Sequence, residues 1–83
     1  MFNYAKEGQA HVALPELTLG DHGYAVGWVQ VILNVRGFHV EPESVNFFDR
    51  KTMLAVMQFQ REMELEITGT VDALTWACLL LAE

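Results

Sequence analysis

The chain has 83 residues, 52% of them hydrophobic, with eleven acidic residues against five basic ones and a formal net charge of −6. That length holds one domain with a compact core. The acidic balance excludes a basic nucleic-acid stripe and disfavours an anionic membrane surface, because Arg36, Arg50, Lys51 and Arg61 are scattered and outnumbered.

Residues 1–16 show no clean period. Phe2, Tyr4, Val12 and Leu14 are apolar and Pro15 interrupts any helix, so a loose N-terminal arm is expected, with the domain proper over 17–83. The first residues lack the apolar stretch of a secretory signal, which leaves three options: an internal location, export by another route, or one domain of a longer protein.

A first helix is expected from Asp21, whose carboxylate suits an N-cap, with Val26, Val29 and Leu33 at helical spacing and Gly37 as a left-handed stop after Arg36. Phe38 to Phe48 reads as a loop with its turn at Glu41-Pro42-Glu43-Ser44. A second helix is expected from Asp49, with Thr52, Val56, Phe59 and Met63 on one face, fraying near Glu64. After a turn at Leu65–Val71 that needs Gly69 in a conformation closed to other residues, a third helix is capped by Asp72 and carries Trp76, Leu79 and Leu80 inward. Val26-Gly27-Trp28-Val29-Gln30 and Val56-Met57-Gln58-Phe59-Gln60 repeat Val-x-x-apolar-Gln thirty residues apart. Gln30 and Gln60 sit at the edge of buried stripes, where an amide can satisfy loop backbone groups. The expected fold is therefore all-α, a small three-helix orthogonal bundle with long loops.

Catalytic and metal chemistry finds little support. His11, His22 and His39 are isolated, without the spacing of a zinc site, and Cys78 lies mid-helix in a leucine-rich run as a small hydrophobe with no disulfide partner. Glu62, Glu64 and Glu66 read as a solvated turn. No metal, cofactor or catalytic residue is expected, and no apolar run approaches the ~20 residues of a membrane span.

The apolar content exceeds what one core needs. At about 100° per residue, Val29, Gln30 and Leu33 fall within about 60° of Val26, whereas Trp28, Val31, Ile32 and Val35 fall on the back. Met53, Leu54 and Met57 lie off the second helix's stripe, and Leu74, Cys78 and Leu81 off the third's. Three readings compete: the arm folds back over this surface, the domain docks on a partner domain or a second copy of itself through Trp28, Val31, Val35, Met53 and Met57, or Trp28 and its neighbours form a platform for sugar rings.

An ordered set of residues resembles a known family. Leu17-x-x-Gly20-Asp21-x-Gly23-x-x-Val26-x-x-Val29-Gln30-x-x-Leu33-x-x-x-Gly37-Phe38 continues as Phe48-x-x-x-Thr52-x-x-Ala55-Val56-x-x-Phe59-Gln60. It closes as Leu65-x-x-Thr68-Gly69-x-Val71-Asp72-x-x-Thr75-Trp76-x-x-Leu79. This pattern is similar to the peptidoglycan-binding domains of cell-wall hydrolases and phage endolysins. The resemblance implies a non-catalytic module that targets an attached or associated wall hydrolase, at the cell wall or carried by a phage, with peptidoglycan glycan or stem peptide as partner. The family's Asp-Gly-x-Phe-Gly is replaced by Val45-Asn46-Phe47-Phe48-Asp49, where Asn46 is the nearest stand-in for a glycine because Asn tolerates positive φ, and the glycine before Leu65 is replaced by Glu64. The candidate ligand residues are Asn46, Phe47, Asp49 and Arg50 at the start of the second helix, where free amides suit a carboxylate or acetamido group, with Trp76 nearby. The alternative is an interaction or assembly module that keeps the fold without the ligand.

Overall fold

The computed structural model describes residues 14–42 and 45–81. Three helices follow one another: α1 (Tyr24–Val35), α2 (Arg50–Glu62) and α3 (Ala73–Leu81). Among the described residues there is no strand, only two isolated antiparallel bridges, Leu17 with Val71 and His22 with Phe47. The all-α three-helix reading is thus the observed one.

The start of α1 differs from the sequence expectation. Asp21 does not cap it. Its Oδ2 accepts from the Thr18 amide at 2.8 Å, closing a turn whose Gly20 has φ +98°. The N-cap is Gly23, which offers no side-chain hydrogen bond. The reason is the pairing of this segment with the loop before α2. Gly20 N donates to Phe48 O, Phe48 N to Asp21 O and Gly23 N to Asn46 O, all at 2.8–2.9 Å. Three such bonds commit residues 20–23 to pairing with the loop and delay the helix.

Both long helices end alike. Gly37 at φ +93° follows α1, and Phe38 N reaches back to Leu33 O at 2.8 Å. Glu64 at φ +61° follows α2, and Leu65 N reaches back to Gln60 O at 2.8 Å. Each is a left-handed C-terminal stop in which the returning amide satisfies an orphan carbonyl. At α2 and α3 the expected caps are present: Asp49 Oδ1 accepts from Thr52 N, and Asp72 Oδ1 from Thr75 N, each at 2.9 Å. The two hydrogen bonds from Thr75, backbone first and hydroxyl second, hold the Asp72 carboxyl below its ordinary pKa.

α1 packs against both α2 and α3. Val26, Val29 and Leu33 from α1 meet Ala55, Val56 and Phe59 from α2 and Trp76 and Leu79 from α3, with Phe48, Val40, Leu17 and Val71 supplied by the loops. Phe38 sets its ring edge against Phe59, centroids 5.5 Å apart. Leu80, expected inward, is 52% exposed. The inward face of α3 is centred on Leu79 and includes the buried Thr75, which turns Leu80 to the rim.

The loops are tied by side-chain amides. Gln60 makes five hydrogen bonds: Nε2 donates to Thr68 Oγ1, Thr70 O and Thr75 Oγ1, and Oε1 accepts from the Thr68 and Gly69 amides. Gln30 does the same for the other loop, donating to Phe47 O and Thr52 Oγ1 and accepting from Asn46 N. The loop-tying role expected of both glutamines is therefore observed. Asn34 clamps Val40 through both its amide atoms. Arg36 donates from Nε and Nη2 to Leu79 O, placing a cation at the negative end of α3. Pro15, in the stretch expected to be a loose arm, accepts from the Trp76 indole at 2.7 Å. Phe2, Tyr4 and Val12, the rest of the candidate covering arm, lie outside the described residues, as does the Glu43-Ser44 half of the expected turn.

Candidate functional site: a pocket between the start of α1 and the loop before α2

The bridge between His22 and Phe47 creates a surface pocket. His22, Gly23 and Tyr24 form one wall and Val45, Asn46 and Phe47 the other, around a cavity of about 580 Å³. That volume suits a small-ligand site. The rings of His22 and Phe47 lie 5.1 Å apart at 32°, forming an aromatic floor, and Tyr24 stands exposed at the rim. The pocket's Asn46 has φ +66°, the conformation its residue type makes accessible. Its backbone is held from both sides: the amide donates to Gln30 Oε1 and the carbonyl accepts from Gly23 N. The wall is thus preorganised by the same Gln30 that anchors α2 through Thr52.

The side chain of Asn46 lies over α1. A Cβ built on Gly27 would fall on Asn46 Oδ1, deep inside van der Waals contact. Gly27, which weakens a helix interior by about 1 kcal/mol relative to Ala, is there to admit this side chain.

The five candidate ligand residues divide. Asn46 and Phe47 line the pocket. Asp49 is buried, and its Oδ1 is occupied by the amide and hydroxyl of Thr52. That cap takes one of the α2 amides expected to be free for a ligand. Arg50 is exposed on the first turn of α2, outside the residues that line the pocket. Trp76 is corrected to a core residue: it is 1% exposed and its indole nitrogen is bound to Pro15, so no ring face is left for a ligand. His22 and Tyr24 line the pocket without having been singled out as ligand residues. The signal for Tyr24 was its phase: it shares the back of the first helix with Trp28. Among the described residues no group of three or more His, Cys, Asp or Glu side chains could hold a metal ion. No described helix is long and apolar enough to cross a membrane.

Residues 22–79, which span the pocket, α1, α2 and α3 as far as Leu79, match the family described as "Putative peptidoglycan binding domain". The chain belongs to that family of peptidoglycan-binding modules. Solved structures agree. The endolysin of Burkholderia phage AP3 is similar at 29% identity and a TM-score of 0.74, over 83% of this chain and 26% of the endolysin. A peptidoglycan-binding protein from Clostridioides difficile, solved with glutamine hydroxamate, is similar at 29% identity and a TM-score of 0.73, over 80% of this chain and 40% of that protein. The SleB N-terminal domain is similar at 25% identity and a TM-score of 0.78, over 87% of this chain and 97% of that domain. The chain therefore spans about a quarter to two-fifths of the first two proteins and nearly all of the third. No curated protein matches at a significant level.

Family membership explains the loop departures in structural terms. Asn46 and Glu64 both stand where the resembled pattern has glycine, and both take positive φ. The backbone shape is kept and the residue type is not.

Proposed function

We propose that this chain binds peptidoglycan at the His22–Phe47 pocket and performs no chemistry itself, serving to hold a wall-degrading domain or partner at its insoluble substrate. The observation that carries this reading is the coincidence of the family match with a preorganised aromatic pocket. Tethering acts through effective concentration: a weak module on an insoluble polymer raises the local encounter rate without a new contact at the catalytic centre. Membership in this family supports a location at the cell wall, and the same reading makes any catalytic domain a separate unit.

The lining of the pocket favours neutral parts of the polymer. Its residues are His22, Gly23, Tyr24, Val45, Asn46 and Phe47, with no carboxylate, lysine or arginine among them. Aromatic faces and an amide suit sugar rings and acetamido groups. The net charge of −6 adds long-range repulsion from an anionic wall, so binding strengthens as salt screens it.

Co-sedimentation with purified insoluble peptidoglycan tests the proposal. The wild-type chain pellets with the wall. Asn46→Gly, which keeps the φ but removes the amide, and His22→Ala, which removes the floor, both reduce the pelleted fraction while retaining helical circular dichroism. Equal pelleting by wild type and both variants refutes the site, and no pelleting by wild type refutes the function.

A further inference from the structure

We propose that α1 carries a homodimer interface, in which two copies pack their Tyr24–Trp28–Val31–Val35 stripes antiparallel about a two-fold axis. This goes beyond wall binding and does not depend on it.

The stripe is defined by exposure. Tyr24 is 81%, Trp28 62%, Val31 60% and Val35 80% exposed, so four large apolar side chains of one helix stand in solvent. They fall within about 60° of one another on the side opposite the core. Their spacing is 4-3-4, the interval that lets one helix run along another with a small crossing angle.

The occupant follows from the helix itself. α1 contains no charged residue from Tyr24 to Val35, although the chain as a whole carries −6. Two copies can meet here without apposing like charges within the seam. The stripe is also complementary to its own reverse. An antiparallel pair centred between Val29 and Gln30 sets Trp28 beside Val31 of the second copy and Tyr24 beside its Val35. Each aromatic ring meets a small β-branched residue, and every contact occurs twice, as an isologous interface requires. A groove of about 370 Å³ flanks the stripe between Trp28 and Val31 on one side and Pro42 and Val45 on the other. It gives the indole of the second copy a concave seat.

The area is sufficient. Tyr24 and Trp28 each contribute on the order of 150 Å², and with the two valines the stripe offers roughly 500 Å² per copy. Two copies then bury about 1,000 Å², the floor for a biological interface and the size of a weak, transient one. The two methionines named with the stripe do not extend it. Met53 and Met57 are half-buried, their Cγ atoms beneath Gly69, and Met53 packs on the core. Tyr24 lines both the stripe and the ligand pocket, so the antiparallel pair places one pocket at each end of the seam.

Sedimentation velocity on the full chain, up to about 100 µM, tests the proposal. The wild type sediments as a dimer, and its Trp28 emission shifts to the blue as concentration rises. Trp28→Glu enters the seam twice and raises the dissociation constant at least about 100-fold, with helical circular dichroism unchanged. Val35→Glu, at the exposed end of the helix, gives the same direction should Trp28→Glu disturb folding. Leu54→Glu on α2 and Leu74→Glu on α3 leave the dimer intact. In a Cys78→Ala background, chains with Tyr24→Cys cross-link to chains with Val35→Cys and not to themselves. A wild-type monomer throughout this range, or a dimer indifferent to both Trp28→Glu and Val35→Glu, overturns the interface. Dissociation by the α2 or α3 variants in place of the α1 variants also overturns it, and like-with-like cross-linking overturns the antiparallel arrangement.

Discussion

Gln60 concentrates more of the loop's order than any apolar residue does, and its replacement by leucine measures that contribution. The two side chains are similar in size, so Gln60→Leu leaves the core nearly filled and removes five hydrogen bonds. The Thr68 amide and hydroxyl belong to an exposed residue and can turn to water. The Gly69 amide belongs to a buried residue and is orphaned, whereas the buried Thr75 hydroxyl loses the Gln60 donor and keeps its bond to the Asp72 carboxyl. An orphaned buried group costs about 1–3 kcal/mol, and exchanging a buried amide for hydrocarbon returns about 1. The net loss is about 2 kcal/mol, against a total of about 4–12 kcal/mol for a chain of this length. Urea unfolding followed by the fluorescence of the buried Trp76 reads the change. With a slope of about 1 kcal/mol per molar, the midpoint falls by about 2 M. A fall of less than about 0.5 M would refute the reasoning, because it would mean that water replaces the amide at no cost. Gln60→Glu gives an independent check through pH. Its ionised form cannot donate to Thr70 O and is desolvated, so its folded pKa lies above its unfolded value. The protonated form regains a donor. Stability is therefore higher below the unfolded pKa and is lost as pH rises through the folded pKa.

Three further perturbations follow from the same geometry. The Asp72 carboxyl is held below its ordinary pKa by the Thr75 amide and hydroxyl, so its cap stabilises α3 fully above the unfolded carboxylate pKa and loses that contribution as pH falls through the folded value. Asp72→Asn keeps a good cap without titrating, so the wild type loses stability relative to the variant as pH is lowered from 6 to 2, which thermal melts of the two proteins detect. Glu64→Gly relieves a non-glycine residue at φ +61° and raises the urea midpoint, a gain of about 0.5–1 kcal/mol. Gly27→Ala alone is neutral or destabilising, because Asn46 Oδ1 must leave its place. In an Asn46→Gly background the same change stabilises by about 1 kcal/mol, a coupling that a double-mutant cycle detects.

Much of the fold was legible because its signals are local and periodic. Asp49 and Asp72 cap the helices they precede, and Gly37 and Gly69 take the positive φ their turns require. Gln30 and Gln60 tie loops because a polar residue on an apolar stripe must find partners. The misreadings share another cause. Asp21 resembles Asp49 in sequence, but its segment pairs with residues 46–48 some 25 positions away, and no local pattern reports that pairing. Leu80 was placed inward by apolar character alone, while the inward place went to Thr75 through its bond with Gln60. The candidate site was half legible. Asn46 stands out because it replaces a glycine of the resembled pattern, and Phe47 because it lies beside it ahead of the second helix. Trp76 was misassigned because an aromatic residue is equally at home in a groove and in a core, and only the Pro15 carbonyl decides between them.

The departures from the family pattern around the pocket are better understood as one change than as several. A glycine in the loop before α2 can take positive φ and leaves α1 free to carry a side chain at position 27. Asn46 keeps the φ but projects an amide onto the helix, and the helix accepts it only because residue 27 lacks a Cβ. Loop and helix thus depend on one another here, at a helix-propensity penalty of about 1 kcal/mol. The loop backbone at Asn46 is fixed to both Gln30 and Gly23. The fixed backbone and the projected amide give the pocket a defined shape and one added polar group, which is what the proposed ligand site requires.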